Sequence, residues 1–251
     1  MTRIASHRGG TLDYGDSTFA GFSATAAMDV DEVEFDLHPT ADDRIIVNHD
    51  ATLDRTTDRT GVIAEMKAAD VRAAIVNHAA DGFRHPLFVE ELCDIFRLSK
   101  VAFRCEIKPG ADGRPYENFV PQVIAALDRA GRLETTVFSS FLLESLDALR
   151  EATERPALWL VSPPVLTQLG SRGVIEIARS RGIGEIAVNI DMADALLKQQ
   201  AEDAGLAFGA WAAHTTAQIT RAFDLGLKVF TTDRPRLAID IRDQRTKEAA
   251  R

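Results

Sequence analysis

The chain has 251 residues, enough for one large domain or two small ones, and its 45% hydrophobic content can fill a proper core. A net charge of −9 argues against nucleic acid or an anionic membrane as the main partner, since both reward a basic surface. It leaves a small anionic substrate open, because a local Arg, Lys or metal can override the mean field. The first residues carry no charged stretch leading into an apolar one, and no apolar run approaches membrane-spanning length, so a cytoplasmic location is expected. The sequence does not indicate an oligomeric state.

Strand-like runs are expected at 3–8, 32–37, 101–107, 135–139, 157–161, 185–190, 207–211 and 228–232. Amphipathic segments lie between most of them, as in Phe19, Phe22 and Ala26, in Val120, Val123, Ile124 and Leu127, and in Leu142, Leu143, Leu146 and Leu149. Gly131, Gly205 and Gly226 stand where such helices should end. Regular alternation implies parallel strands, and eight of them predict an α/β fold of the closed (β/α)8 TIM-barrel type, one domain over residues 1–251. A doubly wound sheet would open on a longer glycine-rich turn than Gly9-Gly10.

One alternating run, 44–49, is left over. With Asp42 and Asp43 as the two turn residues it forms a hairpin on the second strand, and facing positions sum to 85. Asp36 then lies opposite His49, with Cβ atoms on the order of 5 Å apart. A stretch at about 51–88, rich in Thr, Asp and Arg, is too long for an ordinary connection and predicts a small cap over the barrel mouth. Cys93 and Cys105 lie in apolar segments and read as buried thiols. The charged residues 242–251 are expected to fray.

In a barrel, side chains at the C-terminal ends of strands converge on one mouth. That rule selects His7 and Arg8, Glu34 and Asp36, and Glu106 and Lys108, with His49 returning on the hairpin. Glu34 and Asp36 alternate and share a face, as do Glu106 and Lys108. Three carboxylates in one mouth repel one another unless a cation lies between them, and oxygen ligands favour Mg2+ or Ca2+ over zinc. Taken singly, such residues have plainer explanations. His38, His78, His85 and His214 read as structural histidines, and Asp233 as the cap of a last helix with Pro235 just inside. Ser139-Ser140 lacks the Gly-x-Ser-x-Gly elbow of a nucleophile.

The ordered set His7-Arg8-Gly9, Glu34-x-Asp36, Thr40-x-Asp42, His49-Asp50, Leu53-x-Arg55-Thr56-Thr57, Glu106-Ile107-Lys108, Ser139-Ser140-Phe141, Trp211 and Thr232-Asp233-Arg234-Pro235 resembles the glycerophosphodiester phosphodiesterase family. The likeness runs over nearly the whole chain. It implies a metal-dependent capped barrel that hydrolyses diesters such as glycerophosphocholine to an alcohol and glycerol 3-phosphate. It further implies Glu34, Asp36 and Glu106 as ligands of one Mg2+ or Ca2+, and His7 and His49 as an acid/base pair with neither role assigned. Arg8 and Lys108 would hold the phosphate, and Trp211 would line the glycerol end or serve as a rim or core residue. The nucleophile implied is the substrate's own hydroxyl, passing through a cyclic phosphate. Two stretches depart from the family pattern. Gly15-Asp16-Ser17-Thr18 stands for Pro-Glu-Asn-Thr, with Asp16 or Ser17 still able to cap the helix, and Trp211-Ala212-Ala213-His214 stands for Trp-Thr-Val-Asn. Both fall where substrate is recognised, so a sugar phosphodiester or lysophospholipid-type substrate is the alternative. A metal-dependent aldolase or isomerase barrel and a non-catalytic phosphate-binding barrel are the rivals from other classes.

Overall fold

The computed structural model describes residues 1–79 and 82–249. Its strands, in chain order, are β1 Arg3–His7, β2 Glu32–Pro39, β3 Ile45–Val47, β4 Leu87–Phe88, β5 Ala102–Ile107, β6 Thr136–Ser140, β7 Ala157–Val161, β8 Glu185–Asn189, β9 Ala207–Trp211 and β10 Val229–Thr232. β1 pairs in parallel with both β2 and β10, so the ring β1-β2-β5-β6-β7-β8-β9-β10 closes on itself as a TIM barrel. All eight expected barrel strands are present, and β3 and β4 extend β2 as an antiparallel flap.

The two-residue pleat sorts the side chains. Val33, Phe35 and Leu37 of β2 and Phe103, Cys105 and Ile107 of β5 face the surrounding helices and belong to the main core. There Phe35 and Phe103 meet edge-on at 5.0 Å, and Phe96 reaches Phe103 at 5.4 Å. Each such side chain contributes about 1.5–3 kcal/mol by leaving water. The alternate positions lie within the ring. Low in it, buried Arg104 donates from Nε to Glu32 at 2.6 Å and also pairs with Glu185, which Lys228 holds from its other oxygen. Leu158, Leu160 and Ala187 pack with Val137, Phe141 and Trp211 as an apolar wall.

Two expectations are corrected. Leu37 faces Val47 and His38 faces Ile46, so facing positions of the hairpin sum to 84, one residue off the expected register. The turn holds three residues, with Asp43 in the left-handed region (φ 61) that Asp tolerates. Asp36 therefore pairs with Asn48, whose N–H donates to the Asp36 carbonyl. His49 comes next, as the chain leaves the ladder. The charged C-terminal stretch does not fray over its described part but continues the helix Pro235–Ala249, tied by Arg242 to Asp29 and by Arg245 to Asp224. Residues 250 and 251 of that stretch lie outside the described residues, as do 80 and 81 of the segment 51–88. The remainder of that segment builds a small second core from Leu53, Ile63, Val71 and Ala74 against Ile46. Among the described residues no helix is long and apolar enough to cross a membrane.

Candidate active site

The seven residues expected from strand ends and the hairpin, and Trp211 from the resemblance, gather at one mouth. His7, Arg8, Glu34, His49, Glu106 and Trp211 line a cavity of about 190 Å3, together with Arg104, Ser139, Phe141, Leu160, Ala212 and Thr231. Asp36 and Lys108 are buried beside it. Arg8 (φ 50) and Ala212 (φ 65), each following a barrel strand, adopt left-handed backbone that L residues rarely take, a strain that clusters at functional sites.

Glu34, Asp36 and Glu106 each bring one carboxylate oxygen within 4.8 Å of the others. Glu34 Oε2, Asp36 Oδ1 and Glu106 Oε1 are buried without a hydrogen-bond partner among the described residues. Lys108 Nζ forms ion pairs with that Glu106 oxygen at 2.9 Å and with Asp36 Oδ1 at 3.5 Å. Burial, then the charge of Asp36, raises Glu34 well above the carboxylate range, and burial pushes Glu106 up to about 7. Burial would raise Asp36 as well, but Lys108 and Arg8 hold it below its usual value. Three carboxylates so placed are short of positive charge. The orphaned oxygens and their all-oxygen donor set therefore fit a hard divalent cation, the residues expected to hold one.

Each mouth histidine is backed by a carboxylate. His7 Nδ1 donates to Asp233 Oδ1, and its Nε2 lies 3.7 Å from Glu34 Oε2. His49 Nδ1 meets Asp50 Oδ1 at 2.5 Å, while Lys108 Nζ approaches its Nε2 at 3.1 Å. An ammonium only donates, so Nε2 of His49 is the acceptor and Nδ1 carries the proton. Burial lowers the His49 pKa below 6.5. Asp50 is held at about 2, burial being overcome by hydrogen bonds from Arg55 and His49. His38 fixes the same loop from behind. Its Nε2 donates to the His49 carbonyl at 3.1 Å and its Nδ1 accepts from Tyr116, and burial keeps it neutral with a pKa of about 4. It is structural, as expected.

Asp233 is the main residue that sequence reasoning missed. Rather than capping the last helix it accepts from His7 Nδ1 through Oδ1, and its Oδ2 lies 3.4 Å from His214 Nδ1 without a hydrogen bond between them. The Asp233 N–H also donates to His214 Nδ1 at 3.0 Å. Because that backbone hydrogen is fixed in position, His214 Nδ1 is unprotonated. The strand-end rule, applied to β10, would have selected Asp233. Thr18, not Asp16 or Ser17, caps the helix Phe19–Ala26, accepting from Gly21 N. Asp16 instead accepts from Arg8 and Arg55. Ser139 is no nucleophile elbow, yet its buried hydroxyl lines the cavity and is unpartnered among the described residues, as is Trp211 Nε1.

The Glycerophosphoryl diester phosphodiesterase family model matches residues 7–237. A crystal structure from Agrobacterium tumefaciens, itself provisionally assigned as a glycerophosphoryl diester phosphodiesterase, is 61% identical with a TM-score of 0.97, over 98% of this chain and 99% of that one. An Oleispira antarctica phosphodiesterase in complex with the product sn-glycerol-3-phosphate shares the fold at 19% identity, with a TM-score of 0.78 over 96% of this chain and 97% of that one. Lysophospholipase D of Rattus norvegicus is 32% identical over 71 residues, 28% of this chain and 23% of its own. The uncharacterised YqiK of Bacillus subtilis is 28% identical over 147 residues, 58% of this chain and 60% of its own. The matches thus span less than two thirds of these curated relatives. The family match covers nearly all of the barrel and includes every mouth residue described above: the chain belongs to the glycerophosphoryl diester phosphodiesterase family.

Proposed function

We propose that the protein hydrolyses a glycerophosphodiester to an alcohol and glycerol 3-phosphate, with His49 as the first base and His7 as the first acid. The observation that carries this reading is the pair of carboxylate-backed histidines flanking a buried carboxylate triad at one cavity. A diester anion resists an anionic nucleophile, so positive charge must meet it first. Glu34, Asp36 and Glu106 would hold one Mg2+ or Ca2+, which supplies part of that charge when bound. Arg8 and Lys108 supply the rest and hold the phosphate oxygens.

His49 starts the reaction because its Nε2 lone pair is available once Lys108 turns to the phosphate. It takes the proton of the substrate's neighbouring glycerol hydroxyl as that oxygen bonds to phosphorus. The bond to the alcohol oxygen breaks, and His7, entering the step as an imidazolium with its Nδ1–H on Asp233, gives that oxygen the proton on Nε2. The cyclic phosphate is then opened by water, with the roles reversed: His7 takes the water's proton and His49 returns its own to the ring oxygen. Asp233 and Asp50 keep hold of the two Nδ1 hydrogens, so Nε2 is the nitrogen of each ring that gains and loses a proton. Residues 51–88 act as a cap on this mouth, within one domain spanning 1–251.

Glycerophosphocholine, a sugar phosphodiester and a lysophospholipid, each followed by release of its alcohol, test the substrate class. Turnover of glycerophosphocholine above the others supports the reading. Preference for the sugar diester would assign the departures at Gly15–Thr18 and His214 to a sugar headgroup, and preference for the lysophospholipid would align the chain with its lysophospholipase D relative.

A further inference from the structure

We propose that Asp16 is a positioning residue that clamps both halves of the mouth, orienting Arg8 for the phosphate and holding His49 in its base-ready tautomer. This rests on the reading above.

The hydrogen bonds run as an unbroken chain of alternating charge. Asp16 Oδ2 accepts from Arg8 Nη1 at 3.1 Å and from Arg55 Nη1 at 3.0 Å. Arg8 Nε donates to Asp36 Oδ2 at 3.0 Å. Arg55 grips Asp50 from the other side, Nε to Oδ2 at 2.6 Å and Nη2 to Oδ1 at 3.2 Å, and Asp50 holds His49 Nδ1. One carboxylate therefore joins the loop after β1 to the loop after β3, two segments with no shared strand pairing at that point. With Nε and Nη1 of Arg8 each bonded to a carboxylate, Nη2 is the nitrogen without a carboxylate partner among the described residues and is placed to donate to an incoming anion.

Three features mark this as a built arrangement. Asp16 is 6% exposed, although a surface carboxylate would not need burial. The helix that follows is capped by Thr18, so Asp16 has no capping duty. Arg8 and Ser17 both adopt left-handed backbone (φ 50 and 56), and Ser17 N–H donates to the Arg8 carbonyl at 3.2 Å, which brings the two sides of the clamp together. Ser17 Oγ then donates to Asp16 Oδ1 at 2.8 Å, leaving Oδ2 to the two guanidinium groups.

The test compares Asp16→Asn, Asp16→Glu, Arg55→Met and the Asp16→Asn/Arg55→Met double variant. Loss of an orienting partner behind a reacting group typically costs about 10- to 100-fold, and that loss in kcat/KM is expected for Asp16→Asn. Asp16→Glu, which restores the carboxylate, should recover part of it. The double variant should lose little more than Asp16→Asn alone, because both cut one chain. A second readout needs no turnover. The 15N imidazole resonances of His49 should report a single Nδ1-protonated tautomer in the wild-type protein and a tautomer mixture in Asp16→Asn. If Asp16→Asn fails to fold, Arg55→Met, at a half-exposed position, is read in both ways instead. Unchanged His49 resonances, or losses that simply add in the double variant, overturn the proposal. Should the wild-type protein cleave no diester, the functional reading fails, and the His49 spectrum alone decides the clamp.

Discussion

His7 Nδ1 donates to the carboxylate of Asp233, a residue 226 positions away in sequence, because β1 and β10 are neighbours in the closed ring. The contact fixes which nitrogen of His7 faces Glu34 and the cavity. His7→Ala is expected to lower kcat/KM by about 10²–10⁴-fold, the usual contribution of a positioned acid or base. Asp233→Asn should cost about 10- to 100-fold, since the ring is retained and only its orientation is loosened. Steady-state kinetics on folded variants check both: wild-type turnover in His7→Ala would remove His7 from the proton path, and in Asp233→Asn it would remove the orienting role of Asp233.

The acid limb of the pH profile reports the other histidine. Burial, only partly offset by Asp36, lowers the His49 pKa below 6.5, so the neutral base persists to lower pH than a free imidazole would. A base acts deprotonated, so kcat/KM should fall only as the pH drops below about 6.5. A limb centred well above that value in the metal-loaded enzyme would exclude His49 as the group that starts the reaction.

The ion cluster low in the barrel predicts a stability effect distinct from catalysis. Burial alone would raise Glu185, but Arg104 and Lys228 bring it below its ordinary value of 4.5. A depressed carboxylate stabilises the fold above its unfolded pKa, and that contribution disappears as the pH falls through the folded value. Arg104→Met leaves two buried carboxylates short of a partner, and should cost about 3–5 kcal/mol in urea unfolding at pH 7. The loss should be smaller at pH 3, where Glu185 is protonated in the unfolded chain and its charge no longer favours the fold. An equal loss at both pH values would mean that packing, not charge, sets the cost.

Ser139 and Trp211 present buried donors to the cavity that have no partner among the described residues. Ser139→Ala should raise KM about 2- to 10-fold with kcat nearly unchanged, the worth of one neutral hydrogen bond to substrate. A fall in kcat at constant KM would place Ser139 in the chemical step instead.

Much of this was legible in the chain. Alternation along Glu34-Phe35-Asp36 and Glu106-Ile107-Lys108 set both face and depth, since the pleat leaves a strand residue two choices. What escaped depends on partners far apart in sequence or on local turn chemistry. Asp233 looked like a helix cap because its neighbour Pro235 starts a helix, and nothing local signals an imidazole from β1. The hairpin register slipped by one because a three-residue turn with left-handed Asp43 resembles a two-residue turn with Asp42-Asp43 at its tip. His49 still reached the mouth, since the loop beyond Val47 carries it there and the pleat does not. Asp16 reads in the sequence as a possible cap within a substrate-recognition stretch, and its second partner, Arg55, lies beyond the intervening β2–β3 hairpin.

The central claim is that the buried carboxylate triad and the two histidines form one hydrolytic site. The most direct measurement follows glycerophosphocholine by 31P NMR with EDTA-treated protein, then after adding Mg2+ or Ca2+, alongside Glu106→Gln. The account predicts no glycerol 3-phosphate without metal, its formation on adding one, and no such recovery in Glu106→Gln. Equal turnover with and without metal, or full recovery in Glu106→Gln, would contradict it.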